Sequence, residues 1–160
     1  MIDFFRALPD IYRDDISDKG RESQFLLLVV YVLTFLIVRF ITISIRDERK
    51  LPFIRNMNAG GTHIHHLVPG IFLLLIVGYL GVAVSGRWWQ DIIAVLFGIG
   101  AALTLDEFAL WLHLEDVYWL PKGRVSVQAV MIFAGLIGIV GVGAVFFYDV
   151  AVEAVKAFAP

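Results

Sequence analysis

The chain has 160 residues, of which 59% are hydrophobic and 18% are charged, and its mean hydropathy is +0.81. An ordinary soluble domain is about 45–50% apolar and about 25% charged, and one core of this size cannot hide so much apolar surface. The composition therefore excludes a soluble globular enzyme and a disordered tail, and a net charge of −2 argues against nucleic-acid binding.

The first predicted element is an N-terminal segment, residues 1–24, which is rich in acidic residues. A cleavable signal peptide opens with basic residues, so we expect this segment to be retained. Apolar residues between Ile2 and Tyr12 favour a short amphipathic helix that lies along the membrane interface. A flexible tail is the alternative.

Four apolar segments follow, each close to the roughly 20 residues that a helix needs to cross a bilayer. They are Phe25–Ile45, Leu67–Val84, Ile92–Leu114 and Val125–Tyr148. Lipid offers no partner to unpaired backbone groups, so we expect each segment to be a helix. The sequence thus predicts an all-α membrane protein. It consists of a single four-helix transmembrane domain over residues 25–148 and a short C-terminal tail over 149–160.

An even number of spans places both termini on one side of the membrane and the loops 46–66 and 115–124 on the other. Lys and Arg are almost equally frequent on the two sides. Arg39 lies near the loop end of span 1 and should extend toward that side. The sequence therefore favours a multi-pass protein of the cell (inner) membrane with these loops in the cytoplasm.

All histidines of the chain lie in two places. His63, His65 and His66 precede span 2, and His113 lies late in span 3. Because span 2 begins on the side where span 3 ends, the two groups can meet at one membrane face.

Helical geometry predicts how the polar groups of span 3 are oriented. Asp106 continues a stripe of small residues that should face the other helices, and at about 100° per residue His113 lies only about 20° from it. Glu107 lies about 100° around the helix, on the flank. The stripe consists of Ala94, Gly98 and Ala102.

Imidazoles and carboxylates are ligands of Zn²⁺ and of non-haem iron or manganese, and a charge at membrane depth is costly unless it is paired or ligated. The absence of cysteine excludes thiolate ligands. We therefore predict a divalent metal ion (Zn, Fe or Mn) and no organic cofactor. The predicted ligands are His63, His65, His66, Asp106 and His113. Glu107 is the predicted catalytic residue, as a general acid or base or as a further ligand.

The predicted function is that of an integral membrane metal-binding protein. Further, it could be a metal-dependent hydrolase or oxidoreductase that acts on a lipid or a lipid-soluble substrate. Alternatively, the acidic residues pair with Arg39, Arg124 or His113 as interhelical contacts in a structural or scaffolding subunit without catalysis. A proton or metal-ion relay is the third reading, although the segment Ile92–Ala102 contains no polar residue.

Span 4 is rich in small residues, which allow helix backbones to approach closely in lipid. They include Ser126, Ala134 and Gly138 on one stripe, with Gly135, Gly141 and Gly143 nearby. We expect membrane lipids as partners, and a second copy or another membrane subunit packed against span 4. No nucleic acid is expected.

Two strings of the sequence carry a resemblance to a known family. They are HIHH (His63–His66) and LDEFALWLHLEDVYW (Leu105–Trp119). With them the chain resembles a functionally uncharacterised family of small four-span bacterial membrane proteins of actinobacterial type, most clearly over spans 2 and 3. The resemblance implies a bacterial inner-membrane setting and no particular activity.

Overall fold

The structure, a computed structural model, describes residues 2–46, 58–59, 62–63 and 65–158. The helices are α1 (Ile2–Tyr12), α2 (Glu22–Arg46), α3 (Leu67–Ala83), α4 (Arg87–Asp106), α5 (Phe108–His113), α6 (Arg124–Leu136) and α7 (Ala144–Phe158). The π-helical stretches Arg13–Ser17 and Ile137–Gly143 and the 3-10 turn Pro121–Gly123 adjoin them. Two short antiparallel strands, β1 (Asn58–Ala59) and β2 (Thr62–His63), precede α3. The described chain is otherwise helical apart from short connections.

Three helical segments of the described chain are long and apolar enough to cross a membrane: Glu22–Ser44, Arg87–Asp106 and Pro121–Phe158. Helix α3 is also apolar but has 17 residues. Large apolar side chains cover the outside of the helices; Phe72 and Ile132, for example, are 63% and 73% exposed. Such a surface suits contact with lipid. Together with the three long apolar helices it bears out the prediction of an all-α, multi-pass membrane protein.

Helix α4 lies between α2 and α3 and packs closely on both. Its contact with α2 uses the stripe of small residues, since Ala94 and Ala102 are buried and Gly98 faces the α2 backbone. A Cβ atom on Gly98 would lie 2.9 Å from the carbonyl oxygen of Leu27. The predicted stripe is therefore confirmed as a contact between helices.

The helices α2 and α4 run in the same direction. Near their starts, Ser23 Oγ donates a hydrogen bond of 2.6 Å to Asp91, and near their ends Arg39 pairs with Asp106. Helix α3 runs the opposite way, because it begins beside Glu107 and ends just before α4 starts. We call the end that carries Asp106 the histidine end, because the histidines that precede α3 are brought to it.

Predicted span 3, Ile92–Leu114, is wrong as one continuous helix. Helix α4 starts at Arg87 and ends at Asp106, and Glu107 leaves the helical conformation with φ −109° and ψ 23°. Two side chains near this break accept N–H groups from the first turns of α3 and α5, which have no partner within their own helices. The Glu107 carboxylate accepts the N–H of Leu67, and Ser126 Oγ accepts the N–H of Ala109.

The other predicted segments correspond more closely to the structure. Predicted span 1 lies wholly within α2, which starts three residues earlier and ends one residue later. Predicted span 2 coincides with α3 to within one residue. The N-terminal segment contains α1, which packs on α7 with the rings of Phe4 and Phe158 6.2 Å apart. Helix α7 continues through Phe158, so most of the predicted C-terminal tail is helical. The predicted loop 46–66 lies mostly outside the described residues.

Candidate functional site

A group of polar side chains, here called the polar cluster, lies at the histidine end. Its members are Arg39, His65, His66, Asp106, Glu107 and Tyr118. They come from α2, from the residues before α3, from the end of α4 and from the connection before α6. Helix α3 begins at Leu67, with Pro69 in its first turn, where a missing N–H costs no hydrogen bond.

Asp106 is the innermost acidic group of the cluster, and its side chain is 0% exposed. Arg39 Nη2 lies 2.9 Å from its Oδ1, in an ion pair without a well-aligned hydrogen bond. Tyr118 donates a hydrogen bond of 2.8 Å to Oδ2, and His66 Nε2 lies 3.1 Å from the same oxygen. The Asp106 carboxylate therefore has a positive charge and two polar partners at a depth where a lone carboxylate would be unstable.

Glu107 joins the start of α3 to the end of α4. Its Oε2 accepts the backbone N–H of Leu67 at 2.8 Å, and its Oε1 lies 2.8 Å from His65 Nδ1. A negative charge at the N-terminus of a helix is favourable because that end carries unpaired N–H groups and a positive dipole. Glu107 therefore acts as a cap for α3, supplied by another helix.

His66 lies between the two carboxylates. Its Nε2 is 3.1 Å from Asp106 Oδ2, and its Nδ1 is 3.4 Å from Glu107 Oε2. Both ring nitrogens therefore face carboxylate oxygens. This places His66 at the centre of the cluster.

Tyr118 is a member of the cluster that the sequence analysis did not predict. Burial, and secondarily the Asp106 carboxylate, raises the pKa of its hydroxyl well above the usual range, so the group remains a hydrogen-bond donor. Its ring also lies under the Arg39 guanidinium, with 4.8 Å between the guanidinium carbon and the ring centre. Its position 12 residues after Asp106, beyond a helix break, gives no helical spacing that could have indicated the contact.

We expect Tyr118→Phe to lower the free energy of unfolding by about 1–3 kcal/mol, because a hydrogen bond to a buried charged group is lost. Thermal unfolding in detergent measures the change. Tyr79→Phe is the matched control, since Tyr79 is 72% exposed on α3 and lies away from the cluster. Equal melting temperatures for the two variants would contradict the role assigned to the Tyr118 hydroxyl.

The structure brings together four of the six predicted site residues: His65, His66, Asp106 and Glu107. Asp106 faces inward as predicted. Glu107 was expected on the flank, but the helix break turns it into the cluster, where it is 5% exposed.

The remaining two predicted residues stand apart from this group. His113 is half-buried and makes no hydrogen bond or ion pair with any described residue. The helical spacing that predicted it on the Asp106 face assumes one continuous helix, whereas α4 ends at Asp106 and α5 begins at Phe108. His63 belongs to β2, and its side chain lies outside the described part of the structure.

The geometry also bears on the predicted metal ion. Over the residues that the structure describes, no three His, Asp or Glu side chains are grouped so that they could hold a metal ion together. The cluster in its described form is a hydrogen-bonded network. The interhelical pairing of Asp106 with Arg39, which the sequence left open as an alternative, is confirmed.

Fold and site together define a multi-pass helical membrane protein with a buried network of histidines and carboxylates at one end. Comparison of the chain with protein-family models, with curated proteins and with solved structures gives no match. The resemblance to small four-span bacterial membrane proteins therefore stays a prediction.

Proposed function

We propose that the chain is a four-span protein of the bacterial inner membrane. In this proposal α3, the second span in chain order, crosses the membrane in addition to the three longer apolar helices. The supporting observation is that α3 starts beside Glu107, at the end of α4, and that only three residues separate its own end from the start of α4. Helix α3 therefore runs along nearly the whole of a helix that is itself long enough to cross a membrane. Its 17 residues rise about 25 Å, which suits a bilayer thinned slightly around the helix.

In this proposal the polar cluster binds a divalent metal ion. The observation that carries it is the position of His66 between two buried carboxylates, with His65 beside one of them. A carboxylate that accepts a hydrogen bond from one ring N–H orients the other nitrogen toward a metal, as in many metal sites. Glu107 has this relation to His65 Nδ1, and Asp106 has it to His66 Nε2. A metal bound at His66 Nδ1 would replace the 3.4 Å contact of that nitrogen with Glu107 Oε2.

The metal proposal assigns His63, His65 and His66 as ligands, with Asp106 and Glu107 as orienting groups. His63 lies two residues before His65 and supplies the third imidazole of the proposed ligand set. His113 would join this ligand set only after a rearrangement of the chain. The metal would supply Lewis-acid chemistry when bound. A catalytic role for Glu107 would compete with its cap on α3, since both of its oxygens already accept polar contacts.

A lipid or lipid-soluble substrate would reach this site from the side. A cavity of about 510 Å³ opens beside His65 and is walled by Leu110, Trp111 and Leu114 on one side. Its apolar wall and its acidic rim, which includes Glu115 and Asp116, fit an amphipathic molecule. This cavity supports an enzyme reading in which the substrate lies next to the histidines.

A structural role is the second candidate function. It is favoured by the number of internal contacts, since Arg39 neutralises Asp106 and Glu107 caps α3. Such contacts would lock three helices together without any ligand. In that case the outward-facing Gly135, which has open space around it, offers a surface for a partner subunit or a second copy. Gly138 is less suited because it already contacts Phe147 within the chain.

Metal content separates the two candidates. We expect protein purified in detergent and incubated with Zn²⁺, Mn²⁺ or Fe²⁺ to retain about one ion per chain. His66→Ala and Asp106→Asn should weaken binding by about ten- to a hundredfold, as loss of a ligand or an orienting group does. Elemental analysis after desalting measures the bound metal, and a rise in melting temperature with added metal measures binding to the folded state.

Asp91→Asn is the matched control, because Asp91 is an equivalent acidic residue at the opposite end of α4. His113→Ala tests separately whether the remaining predicted ligand belongs to the site. Wild-type protein without bound metal, and without stabilisation by any of the three ions, would overturn the metal proposal. The structural role predicts that result together with a lower melting temperature for His66→Ala.

A further inference from the structure

A second site lies on the other side of Arg39 from the polar cluster. A cavity of about 310 Å³ is lined by two arginines, Arg39 from α2 and Arg124 from the start of α6. Tyr118 and Trp119 form an aromatic wall, and the first turn of α6 forms another. No acidic residue is among the described residues that line this cavity. Arg124 therefore brings a positive charge that no described carboxylate in the lining balances, whereas the charge of Arg39 is paired with Asp106.

The Arg39 guanidinium has unused donors at this cavity. Its contacts with described residues are the ion pair to Asp106 and the rings of Phe35 and Tyr118. No described residue accepts a well-aligned hydrogen bond from it; its Nη2 is buried against Asp106, so the donors that could serve the cavity are its other N–H groups. A guanidinium has five N–H donors, and unsatisfied donors at membrane depth are costly. An acceptor in the cavity would remove that cost.

The features around Arg39 select the chemistry of this acceptor. Arginine pairs with phosphate through two parallel N–H groups, and Arg124 adds a second positive charge. The start of α6 adds the positive end of a helix dipole. Trp119 and Tyr118 are residue types enriched where acyl chains meet headgroups. Among the described residues, the carboxylate that pairs with Arg39 is that of Asp106, and none lines the cavity, which favours an external anion.

We propose that this cavity binds a phosphate group, carried by the headgroup of an anionic phospholipid at the histidine end. Arg39 and Arg124 bind the phosphate oxygens from two sides, and the neighbouring aromatic rings contact the upper part of the acyl chains. The site shares Arg39 and Tyr118 with the polar cluster but uses none of the histidines or carboxylates of the metal proposal, so either proposal can fail without the other.

The test is thermal unfolding in detergent with phosphatidylglycerol added, compared with diacylglycerol of the same acyl chains. We expect the phospholipid to raise the melting temperature and the phosphate-free lipid to leave it unchanged. Arg124→Gln should raise the lipid concentration needed for half of the effect about tenfold, the loss of one charged hydrogen-bonding partner. Lys122→Gln is the matched control, since it removes the same charge from the adjoining 3-10 turn, and Lys122 does not line the cavity.

Two further arms identify the source of the phosphate and test the second arginine. If inorganic phosphate stabilises the protein to the same extent as phosphatidylglycerol, the site takes a free anion and not a lipid headgroup. Arg39→Lys keeps the charge beside Asp106 but loses the paired donors, so a folded variant with a weaker lipid response supports the site. Equal lipid responses in Arg124→Gln and Lys122→Gln, or no stabilisation by either phosphate source, overturn the proposal.

Discussion

Arg39→Met is expected to lower the free energy of unfolding by about 3–5 kcal/mol, because it leaves the Asp106 carboxylate buried without its cation. The Asp106 side chain is 0% exposed, whereas that of Arg39 is 20% exposed, so solvent cannot replace the lost charge at Asp106. Methionine keeps most of the length of the aliphatic side chain, and the change therefore reports mainly on the charge. Thermal or denaturant unfolding in detergent micelles measures it.

The double variant Arg39→Met/Asp106→Asn supplies the internal check. It removes both charges while the asparagine can still accept the hydrogen bond from Tyr118, so most of the lost stability should return. Arg87→Met is the matched control. Arg87 forms a 2.6 Å ion pair with Glu22, but its side chain is 71% exposed, and we expect little change. The same loss in Arg39→Met and Arg87→Met, or no recovery in the double variant, would contradict this account of Asp106.

The meeting of histidines and acidic residues could be predicted because it depends on topology alone. An antiparallel pair of spans with a short connection must bring the start of one beside the end of the other. His65 and His66 precede α3, and Asp106 and Glu107 end α4, so their contact follows once the apolar segments are recognised. The apolar segments themselves are recognised from their length and their content of apolar residues. These parts of the fold needed no knowledge of side-chain geometry.

The arrangement beyond Asp106 could not be predicted in this way. A helical wheel assumes an unbroken helix, and hydropathy carries no sign that the chain leaves the helix at Glu107. The break depends on long-range partners, the Leu67 N–H for Glu107 and Ser126 Oγ for the Ala109 N–H. The position of His113 was therefore predicted from a helix that does not continue past Asp106, and the contact of Tyr118 with Asp106 was missed. Long-range hydrogen bonds of this kind appear only when the helices are placed in space.

The contact between α2 and α4 leads to the second large expected effect. Gly98→Leu should prevent the native packing of these helices, because even a Cβ atom would lie 2.9 Å from the Leu27 carbonyl oxygen and 3.2 Å from the Tyr31 nitrogen. Both are backbone atoms, which cannot rotate away as a side chain can. Extra atoms in a packed interior cost about 1–3 kcal/mol where side chains can adjust, and a leucine against backbone should exceed that range.

The separation of α2 from α4 also sets the distance between Arg39 and Asp106, so the same substitution should disturb the polar cluster. Gly98→Ala should show a smaller loss in the same direction, since it adds only the Cβ atom. Gly78→Leu is the matched control: Gly78 lies on α3 with no atom within 4 Å of an added Cβ. Melting temperatures in detergent should rank wild type and Gly78→Leu together, Gly98→Ala lower and Gly98→Leu lowest. If Gly98→Leu were as stable as Gly78→Leu, α2 and α4 would not approach each other closely at Gly98. The ion pair between Arg39 and Asp106 would then lack the close helix contact that supports it.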